Sequence, residues 1–249
     1  MSKNENYLVI DIGNTRIKIT VFSNDKIVFS RLGKSFLVRE LRGIAEKFPF
    51  TNIIYSSVRT KEPGFLGHLI RNYSVLSFDK DVALPIKNMY ETPATLGMDR
   101  LAAAVGAYNK FPGENILVID MGTCIKYDFL NAKGEFMGGN IAPGLEMRLE
   151  SMHAMTSALP RVKAKFNADL IGKTTSEAMQ NGAVWGIKLE IEQFIKTLTA
   201  KVGQLRVILS GGDSKYFGEI LESRIFVHPE LVSFGLYNTL KYNILKSGN

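Results

Sequence analysis

The sequence predicts an α/β protein built from two copies of one domain. A buried strand that ends in Asp-x-Gly occurs twice, at Asp11 and at Asp120, 109 residues apart. A strand with alternating apolar residues follows each of these turns, as in a β-hairpin. Of the 249 residues 45% are hydrophobic and 22% are charged, which is ordinary for a chain with a sizeable core. Because the repeat spans nearly half the chain, it indicates a duplicated domain rather than short stacked repeats.

The first half predicts three strands and then alternating helices and strands. Leu41, Ile44 and Phe48 recur at helical spacing, which predicts the first helix. The stretch 79–93 is bracketed by prolines and is predicted to be irregular. The predicted strands are 7–10, 17–22, 26–30, 52–57 and 74–77, and the predicted helices are 38–48, 64–72 and 96–109.

The second half repeats this order after a predicted boundary at Pro112-Gly113. We therefore predict one domain over residues 1–112 and a second over 113–249. Three adjacent strands followed by alternating helix and strand are typical of a ribonuclease-H-like domain, so the predicted fold is two such domains. The predicted strands are 116–120, 124–129, 135–142 and 206–209, and the predicted helices are 145–155, 175–201 and 230–246.

The first hairpin turn carries residues suited to a triphosphate and its metal. Asp11 ends a strand, where a carboxylate can hold hydrated Mg²⁺. Gly13 allows a close backbone approach, and Asn14 tolerates left-handed dihedral angles. Thr15 and Lys18 add a hydroxyl and a cation near the same tip. Taken alone, the motif favours an ordinary polar turn, because Asp-x-Gly turns are common.

The second turn strengthens the functional interpretation. After a one-residue deletion, Thr15 corresponds to Thr123 and Lys18 to Lys126. Two facing turns would form a cleft that grips phosphates from both sides. The alternative is that duplication preserved a strand without a function, and the retained Asp-x-Gly-Thr sequence argues against it.

Charge and composition exclude several classes of protein. The formal net charge is +7, but the basic residues are scattered, which favours a solvated surface and does not indicate nucleic-acid binding. A single cysteine, Cys124, excludes an intrachain disulfide. No apolar run reaches the roughly 18–20 residues of a membrane span, and the N-terminus lacks a signal-peptide core. We expect a cytoplasmic protein with no membrane partner.

The two halves, each with an Asp-x-Gly hairpin, resemble the superfamily of actin and the acetate and sugar kinases. The resemblance implies a duplicated actin-like ATPase fold with a nucleotide cleft between the domains. Within that superfamily the details are similar to type III pantothenate kinase, over essentially the whole chain. The motifs that carry this are Asp11-Ile12-Gly13-Asn14-Thr15 with Lys18, Gly97-Met98-Asp99-Arg100, Asp120-Met121-Gly122-Thr123, 138–144, Thr175-Ser176-Glu177-Ala178 with Gly182, and 209–212.

The resemblance implies ATP-dependent phosphorylation of pantothenate to 4'-phosphopantothenate, the first step of coenzyme A biosynthesis, by a homodimer. It implies three cofactors: ATP, Mg²⁺ at Asp11, and a monovalent cation, K⁺ or NH₄⁺, at Asp120. The implied nucleotide-binding residues are Asp11, Ile12, Gly13, Asn14, Thr15, Arg16, Ile17, Lys18 and Thr123. The implied substrate-binding residues are Tyr90, Gly97, Met98, Asp99, Arg100 and Thr175.

Asp99 and Arg100 have complementary candidate roles at a predicted helix start. A carboxylate can accept the proton of the substrate hydroxyl, and a guanidinium can hold the substrate carboxylate in a bidentate pair. The alternative for Asp99 is a carboxylate that only stabilises the helix N-terminus. The alternative for Arg100 is a surface ion pair. Tyr90 could instead anchor a loop, and Thr175 could be a hydroxyl at a helix start.

The chain departs from the family at Cys124-Ile125-Lys126, where the family usually has a small residue and then Thr. Lys126 adds a cation near the predicted nucleotide cleft if it points inward. This departure concerns the details of nucleotide and monovalent-cation binding.

Two other functions are compatible with the fold. One is a non-catalytic nucleotide-binding regulator, and the other is a phosphatase or hydrolase with water in place of the hydroxyl. A pure binder has no chemical need for a base beside a substrate-anchoring arginine, so Asp99 and Arg100 favour the kinase. The Ala-rich helix at 96–109 is a candidate dimer contact.

Overall fold

The chain forms two compact α/β units. The computed structural model describes residues 5–13, 15–166 and 169–247. Unit 1 contains the described residues of Met1–Lys110 together with those of Leu231–Asn249, and unit 2 contains those of Phe111–Glu230. No helix within the described ranges is both long enough and apolar enough to cross a bilayer.

In both units three consecutive strands are followed by helices and further strands, and most bounds are close to those predicted. The described strands are β1 Asn6–Ile12, β2 Ile17–Ser23, β3 Lys26–Gly33, β4 Phe50–Ser57, β5 Ser74–Ser77, β6 Lys87–Asn88, β7 Ile116–Met121, β8 Cys124–Leu130, β9 Glu135–Pro143, β10 Arg206–Ser210 and β11 Phe226–Val227. The described helices are α1 Val38–Lys47, α2 Phe65–Asn72, α3 Met98–Lys110, α4 Leu145–Ala154, α5 Thr175–Val202, α6 Ser214–Ile220 and α7 Leu231–Ser247, with a 3₁₀ turn at Pro93–Thr95.

The sheet of unit 1 has the strand order β3-β2-β1-β4-β5. The first three strands are antiparallel neighbours, whereas β4 pairs parallel to β1 and β5 pairs parallel to β4. The central strand β1 lies between two partners, and its residues Leu8, Val9 and Ile10 are fully buried. This burial explains why β1 is a continuous apolar run rather than an alternating one.

The sheet of unit 2 repeats that arrangement. The five of its strands that belong to unit 2 follow the order β11-β10-β7-β8-β9, in which β7, β8 and β9 are antiparallel neighbours and β10 pairs parallel to β7. Strand β7 takes the central place that β1 has in unit 1, and β11 takes the place of β5. The matching order confirms the predicted fold of two ribonuclease-H-like units.

The long helix α5 covers one face of the second sheet. Its buried residues recur at helical spacing and include Val184, Ile187 and Ile191. They pack in one cluster with Leu117 and Ile119 of β7. The buried stripe of α5 and the apolar strand therefore form the core of unit 2.

The closing helix α7 belongs to unit 1, which corrects the predicted second domain of 113–249. Tyr237 stacks on Phe22 of β2 with the ring centroids 4.4 Å apart. The Tyr237 hydroxyl donates to Asp25 Oδ1 at 2.8 Å, and Lys241 Nζ donates to the same oxygen at 2.6 Å. The hydrogen bonds from Lys241 and Tyr237 lower the pKa of Asp25. These contacts tie α7 to the hairpin between β2 and β3.

Helix α7 also packs on α3 at unusually short range. A Cβ atom built on Gly235 would overlap the carbonyl oxygen of Ala102, and one on Gly106 would lie 2.6 Å from the carbonyl oxygen of Leu231. Only hydrogen at both positions lets the two backbones approach this closely. Residues 100–107 of α3 are buried within the single chain. The homodimer and the place of α3 in its contact stay predictions.

The sequence analysis does not predict three short elements of the structure. Helix α6 has seven residues, and β6 and β11 have two residues each. Segments of this length are shorter than the windows in which periodicity is measurable.

The glycine contact between α3 and α7 gives a testable expectation. We expect Gly235→Ala to destabilise the protein by about 1–3 kcal/mol, because the new methyl group must push the helices apart. The measurement is the midpoint of thermal unfolding. The matched control is Gly43→Ala in α1, where a Cβ meets nothing within 4 Å. That change should be neutral or stabilising by up to about 1 kcal/mol. Equal midpoints for Gly235→Ala and wild type would contradict the tight helix contact.

Candidate active site

The first predicted phosphate turn closes the hairpin between β1 and β2. Asp11 lies opposite Lys18 across the two antiparallel strands and beside Ser56 on the parallel strand β4. The turn is closed by a hydrogen bond from the Gly13 amide to the carbonyl oxygen of Arg16, at 3.0 Å. Asp11 and Lys18 are both half-buried. The strand end therefore places a carboxylate and an ammonium group on neighbouring strands.

The remaining residues of this turn have different surroundings. Ile12 and Ile17 are a cross-strand pair and are buried, so they hold the hairpin rather than present side chains to a ligand. Thr15 and Arg16 are exposed. Asn14 lies outside the described residues.

Arg59 supports the first turn and was missed by the sequence analysis. Its Nε atom donates to the carbonyl oxygen of Gly13 at 2.8 Å, and its amide donates to Ser57 Oγ at 3.2 Å. The Val58 amide donates to the carbonyl oxygen of Ile12 at 3.1 Å. The segment after β4 thus fixes the backbone of the turn. No local sequence pattern signals this contact, which joins residues 46 positions apart.

The predicted substrate residues Tyr90, Gly97, Asp99 and Arg100 lie together in unit 1. The guanidinium carbon of Arg100 lies 5.4 Å from the centroid of the Tyr90 ring, within cation–π range. Asp99 Oδ1 accepts a hydrogen bond from the Arg100 amide at 3.0 Å. A Cβ on Gly97 would lie only 2.6 Å from that oxygen. Gly97 therefore makes room for the Asp99 carboxylate in this position.

A cavity of about 330 Å³ opens beside the start of α3. Met98, the second residue of the Gly-x-Asp-Arg motif, lines it together with Leu101, Asn88 and Pro93. Its volume falls within the roughly 300–1,000 Å³ of small-molecule sites. The Asn88 side chain also accepts a hydrogen bond from the Tyr90 amide at 3.0 Å, which fixes the loop that carries Tyr90.

The second predicted turn, between β7 and β8, is one residue shorter than the first. Here the Gly122 amide donates to the carbonyl oxygen of Cys124 at 3.1 Å. The Thr123 carbonyl oxygen accepts from the Gly144 amide at 3.0 Å. A Cβ on Gly144 would lie 2.7 Å from the Thr123 carbonyl oxygen, so only glycine allows this contact. Because α4 begins at Leu145, its N-terminus lies beside the Thr123 turn.

A partly buried hydrogen-bond chain holds α4 and α5 against β8. The Tyr127 hydroxyl donates to Glu190 Oε1 at 2.6 Å, and Arg148 Nη2 donates to Glu190 Oε2 at 2.6 Å. Burial and the adjacent Glu190 carboxylate raise the pKa of Tyr127. Arg148 Nε also donates to the carbonyl oxygen of Pro143 at 2.9 Å, which fixes the approach to α4.

Asp120 forms an ion pair with Lys126 at the end of β7. Lys126 Nζ lies 2.6 Å from Asp120 Oδ2, and the two residues are directly opposite in the antiparallel pairing. The other oxygen, Oδ1, faces the Gly211 turn, where a Cβ would lie 2.7 Å away. Gly211 has φ +88°. Glycine is therefore favoured at this position both by the backbone conformation and by the space beside Asp120.

Asp213 follows the Gly211-Gly212 turn at the start of α6. Burial, with a smaller effect from the negative charge of Glu146, raises the pKa of its carboxyl group. The Asp213 amide donates to the carbonyl oxygen of Met121 at 3.3 Å. The Gly211-Gly212 segment is thereby held against the end of β7.

Thr175 is the first residue of α5 and is exposed. The helix cap is its neighbour Thr174, whose hydroxyl oxygen accepts from the Glu177 amide at 3.2 Å. Glu177 Oε2 accepts in return from the Thr174 amide at 3.2 Å, which completes a capping box. Thr175 belongs to unit 2, whereas the other predicted substrate residues belong to unit 1.

Across the described ranges, no three His, Cys, Asp or Glu residues converge as a ready-made metal site. A Mg²⁺ ion held by one carboxylate and the phosphates of a nucleotide needs no such cluster.

Comparison with known proteins identifies the family. The model of the type III pantothenate kinase family matches residues 7–197. The type III pantothenate kinase of Christiangramia forsetii is 40% identical over 239 residues, which are 95% of this chain and 98% of that protein. The type III pantothenate kinase of Bacteroides fragilis is 40% identical over 237 residues, which are 95% of this chain and 98% of that protein.

Solved structures of more distant proteins share the fold. A Campylobacter jejuni protein described as a Baf family transcriptional activator has a TM-score of 0.61 at 20% identity, over 96% of this chain and 99% of that one. A Listeria monocytogenes protein described as an N-acetylmannosamine kinase has a TM-score of 0.55 at 12% identity, over 98% of this chain and 100% of that one. At these identities the likeness concerns the fold alone. The match over most of the sequence, together with the duplicated fold and its two Asp-x-Gly turns, shows that the chain belongs to the type III pantothenate kinase family.

Proposed function

We propose that the residues of the two turns and of the α3 start carry out the reaction of this family. That reaction is the ATP-dependent phosphorylation of pantothenate to 4'-phosphopantothenate, the first step of coenzyme A biosynthesis. The observation that carries the assignment is the group formed by Tyr90, Asp99 and Arg100, which combines an anion anchor with an adjacent base. No observation favours the non-catalytic regulator.

Arg100 is the proposed anchor of the pantothenate carboxylate. Its side chain is only 5% exposed and rests against the Tyr90 ring. A carboxylate that reaches a guanidinium in such a shielded position is screened little by water, so the charge-assisted hydrogen bonds are strong. The planar ring limits the orientation of the guanidinium, which favours a bidentate pair.

Asp99 is the proposed catalytic base. The pantothenate hydroxyl is a weak nucleophile at neutral pH, and a carboxylate within hydrogen-bond reach can accept its proton as the bond to phosphorus forms. The Arg100 amide donates to Asp99 Oδ1, which holds the carboxylate in one orientation at the first turn of α3. Because Asp99 and Arg100 are adjacent in the chain, one helix start positions both ends of the substrate.

Asp11 is the proposed ligand of Mg²⁺ on the triphosphate. One half-buried carboxylate at a strand end suits an ion that keeps several waters and takes its other ligands from phosphates. When bound, Mg²⁺ neutralises charge that develops on the transferred phosphoryl group. Lys18, directly across the hairpin, would add a second positive charge on the phosphates, and the Gly13 turn would give them close backbone contact.

Thr123 is the proposed nucleotide contact of the second turn. The N-terminus of α4 lies beside it, and its partial positive charge favours an anion nearby. The contact of Gly144 with Thr123 keeps the turn and the helix start together. Thr175 stays a predicted substrate contact, and the homodimer and the cytoplasmic location likewise stay predictions.

The direct test is a kinase assay with purified protein, radiolabelled pantothenate and MgATP. We expect labelled phosphopantothenate to form in proportion to the ADP released. ADP without a phosphorylated product would indicate a hydrolase, and nucleotide binding without turnover would indicate a regulator. Either result would refute the proposed function.

The Mg²⁺ assignment predicts a loss of turnover. We expect Asp11→Asn to lower kcat by about a hundredfold or more while the protein stays folded, because charge neutralisation is lost in the transition state. Glu46→Gln on the exposed face of α1 is the control that removes a carboxylate elsewhere. Near-normal kcat in Asp11→Asn would rule out this role for Asp11.

The base and the anchor predict different kinetic effects. Asp99→Asn should lower kcat by about 10²–10⁴-fold with a smaller effect on KM for pantothenate. Arg100→Ala should mainly raise that KM, since it removes an interaction of about 1.5–3 kcal/mol that is present in ground and transition states. Arg100→Lys keeps the charge but not the planar fork, and should fall between Arg100→Ala and wild type.

In these variants KM for ATP should change little, and circular dichroism verifies folding. Wild-type kcat in Asp99→Asn would remove Asp99 as the base. An unchanged KM for pantothenate in Arg100→Ala would place the carboxylate elsewhere.

The contact between Arg59 and the first turn predicts that replacing Arg59 changes KM for ATP but not KM for pantothenate. Without its hydrogen bond to the Gly13 carbonyl oxygen, the first turn loses a support of about 1 kcal/mol. We expect Arg59→Ala to raise KM for ATP about fivefold and to leave KM for pantothenate unchanged. Lys61→Ala, two residues later and exposed, serves as the control. If both variants bind ATP like wild type, Arg59 does not support the phosphate site.

A further inference from the structure

The ion pair between Asp120 and Lys126 disagrees with the monovalent cation that the family resemblance places at Asp120. Lys126 Nζ lies 2.6 Å from Asp120 Oδ2, which is the separation of a direct charge-assisted hydrogen bond. The side chains of Asp120 and Lys126 are only 15% and 19% exposed, so the pair is largely shielded from water. The carboxylate thus already has a cationic partner that belongs to the chain.

The second carboxylate oxygen of Asp120 lies close to the backbone of the Gly211 turn, which restricts the approach of another cation from that direction. Oδ1 faces the backbone of Gly211, where even a methyl group would come within 2.7 Å. The Met121 carbonyl oxygen, which also lies against Gly211, accepts a hydrogen bond from the Asp213 amide at 3.3 Å. Asp120 therefore has the ammonium group at Oδ2 and the glycine turn beside Oδ1.

Repulsion by the Lys126 ammonium group also disfavours a monovalent cation at Asp120. An ammonium group and a second monovalent cation about 4 Å apart repel each other strongly where the effective dielectric constant is near 20. Coulomb's law then lowers the affinity for the second cation by about a thousandfold. Asp120 next to Lys126 is consequently a poor site for K⁺ or NH₄⁺.

The strand register makes the ammonium group a built-in feature rather than a chance surface contact. Asp120 and Lys126 are directly opposite in the pairing of β7 with β8. Asp11 and Lys18 are opposite in the same way in the pairing of β1 with β2. The duplicated hairpin thus places a lysine across from each strand-end aspartate, and in the second copy the two charges are in contact.

We propose that the Lys126 ammonium group takes the place of the monovalent cation, so that this kinase works without K⁺ or NH₄⁺. Lys126 neutralises Asp120 permanently, so the carboxylate beside the second turn does not repel the bound triphosphate. The inference rests on the proposed kinase function for its activity readout and on the ion pair for its stability readout.

The first arm of the test compares kcat of the wild-type enzyme in chlorides of Na⁺, K⁺, NH₄⁺ and choline at constant ionic strength. We expect rates that agree within about twofold. The second arm repeats the series with Lys126→Met, which removes the ammonium group but keeps most of the side-chain volume. We expect this variant to be at least tenfold more active in K⁺ or NH₄⁺ than in choline.

Two further variants serve as controls. Lys126→Arg retains a positive charge and should stay indifferent to the cation. Lys133→Met removes an exposed lysine from the turn between β8 and β9 and should behave like wild type. If Lys126→Met does not fold, Lys126→Gln replaces it, because its amide can still hydrogen-bond to Asp120.

A readout without turnover separates this proposal from the kinase assignment. The midpoint of thermal unfolding, measured without substrates, should rise for Lys126→Met when KCl replaces choline chloride, and should stay constant for wild type. Severalfold activation of the wild-type enzyme by K⁺ would overturn the proposal. The proposal would also be overturned if a folded Lys126→Met variant had the same activity and the same unfolding midpoint in every chloride. A wild-type protein that phosphorylates no pantothenate would refute the kinase function, and the unfolding arm would still test the ammonium group.

Discussion

The tight turn at the end of the central strand is the constraint on which both halves of this protein depend. In each unit the central strand pairs with a neighbour on both edges, and its apolar residues are buried up to the point where the aspartate emerges. A glycine amide then closes the turn with a hydrogen bond across three residues in unit 1 and across two in unit 2. The buried strand fixes the position of each carboxylate at the start of the turn. Proposed ligand sites at both turns follow from one local geometry that was duplicated.

Much of this arrangement could be predicted because it depends on hydrophobic patterns within short stretches of sequence. The buried strands, the alternation in β2 and the helical spacing in α1 are properties of short windows, and the strand order follows once the repeat is recognised. The place of α7 could not be predicted in this way. It depends on Tyr237 stacking on Phe22 and on the paired glycines that let α7 meet α3. These contacts join residues that are far apart in the sequence, and no periodicity within α7 indicates which unit it will cover.

In the candidate site, too, some residues could be predicted from the sequence and others could not. Asp99 and Arg100 were found as a motif, and the structure adds the reason for Gly97, whose missing side chain makes room for the carboxylate. Arg59 was missed because its function comes from a contact with the Gly13 carbonyl oxygen rather than from any feature of its own segment. The cap of α5 could be read from the sequence once the boundary was known, since Thr174 and Glu177 have capping-box spacing. Arg59, which only supports another residue, belongs to no sequence motif that would reveal it. Asp99 and Arg100, the proposed reacting and binding residues, occur in a recognisable motif.

Duplication also explains how the two turns could diverge while the fold stayed constant. The strand register keeps a lysine opposite each aspartate, so neither copy can change the position of one charge without moving the other. What remains adjustable is the length of the turn and the residues packed beside it. Unit 2 lost one residue from its turn, and the Gly211 segment lies against Asp120, which leaves the carboxylate little freedom except toward Lys126. A shorter turn with a crowded aspartate suits a fixed internal charge, whereas the longer turn at Asp11 suits an ion that arrives and leaves with its nucleotide.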